Sequence, residues 1–162
     1  MTTLALVTGG FDPLHSGHIE YFKAAKELGD ALCVAVNSND WLIRKKGKYF
    51  MTAPERISII QELRMVDACI EFNDKDDTAN DAIKMGLEVY DNIIFANGGD
   101  RGNTNTPEYE EFKDNNRVKF VWGVGGDDKK NSSSWILNRW TSKWIERYTL
   151  VNTSLMTTGS II

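Results

Sequence analysis

Histidine and cysteine are scarce in this sequence, at two residues each in 162. No His-Glu-x-x-His pattern occurs, and any metal centre would have to be built without distal Cys or His partners. Positive charge is in deficit too, with 19 Lys and Arg against 23 Asp and Glu, a net charge of -4 and an isoelectric point near 5.2. Binding nucleic acid by general electrostatics needs a surplus of cations to displace counterions, so a nucleic-acid partner is not expected. No apolar run approaches the about 20 residues that span a bilayer, and the N-terminus carries no signal-peptide pattern. A soluble, cytoplasmic protein without a membrane partner is the expectation. Internal repeats, low-complexity tracts and linkers are also missing, and 41% hydrophobic residues suffice for one substantial core. Residues 1–147 are therefore read as one domain. The Thr- and Ser-rich stretch 148–162 is read as a tail, either an arm on a neighbouring subunit or disordered. Cys33 and Cys69 lie in short apolar runs and are expected as buried, reduced thiols.

Five short runs rich in apolar and β-branched residues recur along the chain: Leu4–Thr8, Leu32–Val36, Ala68–Phe72, Asn92–Ala96 and Val118–Trp122. They read as buried strands. Helical spacing fills the gaps, first at Ile19–Leu28, where Ile19, Phe22 and Ala25 share a face and Gly29 supplies a stop. Thr52-Ala53-Pro54-Glu55 has the Thr-x-x-Glu spacing of a capping box, followed by the stripe Ile57, Ile60, Leu63, Met65 and Val66. Further helices are expected over Thr78–Met85, stopped by Gly86, over Glu108–Lys113, and from the serines 132–134 onward. The segment Gly123–Lys130 reads as a mobile loop. Strands alternating with helices imply an α/β fold, a doubly wound, Rossmann-like five-stranded parallel sheet in a single domain. Ligands of such sheets bind beyond the carboxyl ends of the strands, so the residues after Thr8 are the first place to look for chemistry.

Those residues read Gly9-Gly10-Phe11-Asp12-Pro13-Leu14-His15-Ser16-Gly17-His18. Two glycines at a strand-to-helix junction let backbone N–H groups approach a phosphate closely, although Gly-Gly there is also an ordinary turn. His15 and His18 are the only histidines, three apart at a helix start, with the small Gly17 between them. Three readings stand side by side: histidines that merely cap a helix, a metal site from Asp12, His15 and His18, and binding of an anion at the helix N-terminus.

The segment from Gly10 to His18 resembles the HxGH signature of the cytidylyltransferase-like nucleotidyltransferases, in the branch of glycerol-3-phosphate cytidylyltransferase and the heptose-phosphate adenylyltransferases. Val34-Ala35-Val36-Asn37-Ser38 is similar to that family's second strand. Glu55-Arg56 and Leu63-Arg64-Met65-Val66-Asp67 are similar to its next helix and R-x-V-D segment. Asn97-Gly98-Gly99-Asp100 resembles its Gly-Gly-Asp turn, and Asn131-Ser132-Ser133-Ser134 its Ser/Thr motif.

The resemblance implies a nucleotidyltransferase that moves a nucleoside monophosphate from a triphosphate to a phosphorylated alcohol and releases pyrophosphate. CMP transfer to glycerol 3-phosphate is the leading form. The alternatives are an adenylyltransferase acting on a sugar 1-phosphate and a non-catalytic nucleotide-binding module. It further implies His15, His18 and Lys46 as catalytic residues, Lys46 being chosen from the basic cluster Arg44–Lys48. Gly9, Gly10, Phe11, Asp12, Gly17, Asp100, Ser132, Ser133 and Ser134 would bind the nucleotide, with Asp12 orienting either the loop or a metal-bound water. Arg56 and Arg64, read as two helical turns apart, would meet phosphates. Mg²⁺ carried by the triphosphate, an NTP and a small phosphorylated acceptor as partners, and a homodimer complete the implication; no resident metal site is expected. The chain departs from the family in Gly-Gly-Phe-Asp where Gly-Thr-Phe-Asp is usual. It also lacks an arginine before the final serines, for which Lys129 or Lys130 could substitute, and has a polar stretch at 100–108. Trp140 and Trp144, four apart on a helix, are expected in core or subunit-interface packing.

Overall fold

A computed structural model describes residues 1–99, 104–126 and 131–158, with the side chains of 143–146, 148 and 152–158 left outside that description. Five strands, β1 (Thr3–Gly9), β2 (Ala31–Val36), β3 (Ala68–Glu71), β4 (Asn92–Gly98) and β5 (Val118–Val124), form one sheet in the order β3-β2-β1-β4-β5. Every neighbouring pair is parallel. The helices are α1 (Ser16–Lys26), α2 (Asn39–Lys46), α3 (Ala53–Ile60), α4 (Asn80–Val89), α5 (Pro107–Phe112) and α6 (Ser133–Thr158). Both sheet faces are covered, which is why the strands read as continuous apolar runs rather than alternating ones. On one face Ala5, Val7, Leu32 and Val34 pack against Phe22 and Ala25 of α1 and Ile60 of α3. On the other, Leu4, Leu6, Cys33 and Phe95 pack against Ala82 and Ile83 of α4 and Phe112 of α5. Burying a side chain such as Phe22 or Ile83 contributes about 1.5–3 kcal/mol each.

The five expected strands are all present, within one or two residues at each end. Cys33 and Cys69 are free and belong to opposite faces of the sheet, and burial pushes their thiols up to about 12 and about 11.

Several helix expectations are corrected. Residues 39–46 form α2, which the periodicity did not reveal. Ser38 caps it by accepting from the N–H of Trp41, three basic residues close its last turn, and Gly47 ends it in the left-handed region at φ 84°. Thr52 is the N-cap of α3, but its side chain makes no cap bond. The acceptor comes instead from α2, where Asn39 Oδ1 takes the Ala53 N–H at 2.8 Å. Gly86 does not stop α4, which continues to Val89. A Cβ at Gly86 would sit 2.8 Å from Ile93 Cδ1, so this glycine serves close packing of helix on strand.

The last helix starts at Ser133, and its backbone runs to Thr158, through the position at which a tail was expected. Trp140 is 60% exposed, so it lies outside the core of this chain, and the Trp144 side chain lies outside the described residues. No helix among the described residues is long and apolar enough to cross a membrane.

Candidate active site

The sheet order reverses between β1 and β4, and a cleft of about 1320 Å³ opens over the carboxyl ends of the strands at that point. Gly9 and Gly10 at the end of β1 and Gly98 and Gly99 at the end of β4 line it from the two sides of the reversal. The start of α1 and Asn131 and Ser133 at the start of α6 border the same cleft, and α2 contributes Trp41, Lys45 and Lys46.

The histidine pair is organised by the helix it begins. His15 is the N-cap of α1, in extended conformation (φ -147°, ψ 175°), and its Nδ1 accepts from the Gly17 N–H at 3.1 Å. His18, three residues on, returns the favour, its Nδ1 accepting from the His15 N–H at 3.2 Å. This is a capping box built from two imidazoles. A nitrogen that accepts carries no proton, so each neutral ring holds its hydrogen on Nε2. The rings stack with centroids 3.7 Å apart, and Phe11 meets His18 edge-on at 5.0 Å. Burial, then the neighbouring His15 and the charge of Lys46, push the His18 pKa down to about 3. At neutral pH His18 is therefore an uncharged hydrogen-bond donor. Gly17 permits this arrangement, since a Cβ there would stand 2.9 Å from His15 Cε1 and 3.0 Å from its Nδ1.

Asp12 is buried and spends both carboxylate oxygens on backbone, accepting from Phe50 N–H at 2.6 Å and Met51 N–H at 2.7 Å. It anchors the loop between α2 and α3, and with it the position of the basic cluster. Lys46 and Lys45 line the cleft, with Lys45 Nζ 5.8 Å from the centre of the Trp41 ring, whereas Lys48 is not among the lining residues.

Arg56 is 1% exposed. Its guanidinium donates to Met51 O at 3.0 Å, Gly10 O at 2.8 Å, Asn37 O at 2.8 Å and Asn39 Oδ1 at 3.1 Å. It thus ties the glycine turn to the ends of β2 and α2, a buried strut in place of a surface cation. Arg64 lies beyond the end of α3 rather than two turns along it, and it is exposed and outside the cleft lining. Of the three serines, Ser133 lines the cleft and donates to Pro13 O at 2.8 Å, which pins α6 to the glycine-histidine segment. Ser132 gives its carbonyl to the Ile136 N–H as the helix cap, and Ser134 is exposed. Asp100, Lys129 and Lys130 lie outside the described residues.

Sequence reading missed several residues that shape the cleft. Tyr21 on α1 donates to Ala96 O, and its ring lies against Gly98. Asp74, buried after β3, accepts from Asn37 Nδ2 at 3.0 Å, Ser38 N–H at 2.8 Å and Ser38 Oγ at 2.7 Å, closing the ends of β2 and β3. Trp41 was hidden with α2, although Ser38 and Gly47 flank that helix as start and stop signals. Asn97 lines the cleft immediately before the two glycines that were noticed.

Residues 6–139 match the cytidylyltransferase-like family, more than half of the chain. The chain belongs to the cytidylyltransferase-like family. Its relatives include the bifunctional protein HldE of Pasteurella multocida, 34% identical over 131 residues, which covers 78% of this chain and 24% of that protein. The HldE protein of Coxiella burnetii is 37% identical over 98 residues, covering 59% and 20% of the two chains. The chain thus spans about a quarter or less of the length of these curated relatives. Among solved structures, the lipopolysaccharide core biosynthesis protein of Thermoplasma volcanium is 33% identical, with a TM-score of 0.59, over 79% of this chain and 99% of that one. Thermotoga maritima TmcAL, at 14% identity and a TM-score of 0.61, shares the fold alone.

Proposed function

We propose that this cytidylyltransferase-like chain is a nucleotidyltransferase that transfers a nucleoside monophosphate from a triphosphate to a phosphorylated sugar. The observation that carries the reading is the reciprocal capping of His15 and His18 at the topological switch point, which leaves two neutral imidazoles with their protons on Nε2. An oxygen of the acceptor phosphate attacks the α-phosphorus, a new P–O bond forms, the bond to the β-phosphate bridging oxygen breaks, and pyrophosphate departs. The attacking monoester is already largely ionised, its second pKa being about 6. No general base is required, and a His18 with a pKa of about 3 is suited to donating a hydrogen bond rather than abstracting a proton. Catalysis then consists of positioning and of donors aimed at charge on the transferring group, each typically worth about 10²–10³ in rate. Lys46, electrostatically coupled to His18, adds a positive charge for the polyphosphate.

The triphosphate would carry Mg²⁺, an ion that keeps much of its shell as phosphate oxygens and water. Among the described residues no group of three or more His, Cys, Asp and Glu converges on one point, and Asp12 has both oxygens committed to backbone. The ion's ligands in this proposal are chiefly the nucleotide's own phosphates.

Kinship with a lipopolysaccharide core biosynthesis protein and with HldE favours a sugar phosphate over glycerol 3-phosphate as the acceptor. ATP is then the donor, in keeping with the motif resemblance to the heptose-phosphate adenylyltransferases. A screen of pyrophosphate release that crosses the four NTPs with sugar phosphates, glycerol 3-phosphate and phosphocholine tests this. ATP with a sugar phosphate should turn over fastest. CTP with glycerol 3-phosphate as the best pair would overturn the specificity, and no release with any pair would overturn the activity.

A further inference from the structure

The cleft continues past the histidines to the α4–α5 side of the sheet, where Thr78, Ala79, Thr106 and Glu108 line it. Glu108 Oε1 accepts from the Ala79 N–H at 2.7 Å and so joins the starts of the two helices. Asn97 lines the same cleft. Along β4, Phe95 belongs to the α4–α5 core and Ala96 to the opposite one, so alternation turns the Asn97 side chain toward α4 and α5. Pairing with β5 slips here, from Ala96 opposite Val121 to Gly98 opposite Val124, which places an extra β5 residue beside Asn97. Such bulges re-aim side chains at sites.

Asn97 is 6% exposed, and its Nδ2 is buried with no hydrogen-bond partner among the described residues. Buried amides normally find partners, and an orphan in a cleft calls for an explanation. Asn37, after β2, gives its amide nitrogen to Asp74, whereas the Asn97 amide nitrogen beside the switch point has no partner among the described residues.

We propose that the α4–α5 end of the cleft seats the polyol of a sugar phosphate and that Asn97 is a specificity-determining residue there, donating from Nδ2 to a sugar hydroxyl oxygen. This rests on the transferase reading above and names the part of the acceptor that is recognised. The chemistry selects a polyol. An amide N–H needs an oxygen to accept it, which the ammonium head of an aminoalcohol phosphate does not offer. Glu108, also in the lining, keeps one carboxylate oxygen beyond the one bonded to the Ala79 N–H and can accept from a hydroxyl with it, whereas the Asp77 carboxylate beside it is paired with Arg44. Rotation about the soft χ2 torsion brings the amide to a ligand oxygen.

The test is calorimetric binding of glucose 1-phosphate, mannose 1-phosphate, ribose 5-phosphate, glycerol 3-phosphate and phosphocholine to the full chain loaded with a non-hydrolysable ATP analogue. Asn97→Leu, which removes a partnerless polar atom at similar volume, should melt at the wild-type temperature or above it. It should bind the preferred sugar phosphate about 10-fold or more weakly, and the ATP analogue with unchanged affinity. Asn97→Ser, which restores a smaller donor, should recover part of the loss. In the wild type the Asn97 side-chain amide signals should shift on addition of sugar phosphate in a ¹⁵N NMR spectrum. Unaltered sugar-phosphate affinity in Asn97→Leu, preference of the wild type for phosphocholine, or no binding of any sugar phosphate would overturn the assignment. Pyrophosphate release with a non-polyol acceptor would overturn it too, while leaving nucleotidyl transfer standing.

Discussion

His15 and His18 hold each other's backbone: the His15 ring caps the Gly17 N–H at 3.1 Å, and the His18 ring accepts from His15 N–H at 3.2 Å. The same two nitrogens that build the start of α1 determine which nitrogen of each ring carries its proton. The fold and the proposed chemistry share atoms here, so ordinary alanine substitutions would confuse them.

Substitutions that keep the caps separate the two roles. Asn is a favoured N-cap and Gln is the usual partner at the third position of a capping box. His15→Asn and His18→Gln should each hold stability within about 1 kcal/mol of wild type while lowering the rate about 10²–10³-fold. Urea melts read beside pyrophosphate release check this; a rate that survives either change would remove that imidazole from the chemistry.

Acid should destabilise the fold through His18. Its folded-state pKa of about 3 lies below the ordinary 6.5, so on acidification the unfolded chain takes up a proton that the folded chain does not. The contribution is fully present above pH 6.5 and is lost as pH falls from there toward about 3. Melts at pH 7 and pH 4.5 should show a smaller drop for His18→Gln than for wild type, and the His18 ring protons should not titrate between pH 5 and 8.

Two lysines of the basic cluster, Lys46 and Lys48, should behave differently. Lys46→Met should lower the rate about 10²-fold, because a charge beside the proposed phosphate site is lost. Lys48→Met should stay close to wild type, since Lys48 does not line the cleft. Both should be near-neutral in stability, within about 0.5 kcal/mol, as exposed positions usually are. Equal rates for the two variants would show that position in the loop is irrelevant.

Arg56→Met should cost about 3 kcal/mol or more, because Gly10 O, Asn37 O, Met51 O and Asn39 Oδ1 all lose a donor, and unpaired buried groups cost about 1–3 kcal/mol apiece. Arg56→Lys should not rescue it, since one ammonium cannot reproduce the guanidinium fork. The urea midpoint, with an unchanged slope, measures this. A small loss would mean that Arg56 is not the strut described.

A methyl group at position 17 should damage site and helix together. In Gly17→Ala the new Cβ meets the His15 ring at 2.9–3.0 Å, so the imidazole must leave its capping position. Both melting temperature and rate should fall, and a variant that keeps the wild-type rate would show that the ring position is not critical.

The strands, the doubly wound order of elements and the histidine segment were legible in the sequence, because each is written in local terms. Buried parallel strands are short apolar runs, and glycines mark the turn that follows β1. The helix α2 was not legible, since its eight residues Asn39–Lys46 carry three basic side chains and bury only Leu42, leaving almost no apolar period to detect. Gly86 misled for a related reason: a glycine reads as a stop, and only the neighbouring Ile93 shows that it serves packing.

What the sequence by itself determined was the fold class and the place of the candidate site, from Gly9 to His18. Tertiary structure decided the roles within it. Asp12 meets Phe50, Arg56 meets Gly10, and Asn37 meets Asp74 across 37 or more residues of chain, pairings that no local pattern encodes. Burial turned Arg56 from an expected phosphate ligand into a strut and held His18 neutral. The same burial left the amide nitrogen of Asn97 without a partner among the described residues. A charge or an amide takes its function from whether water or a protein atom satisfies it, and that is settled only when the chain has folded.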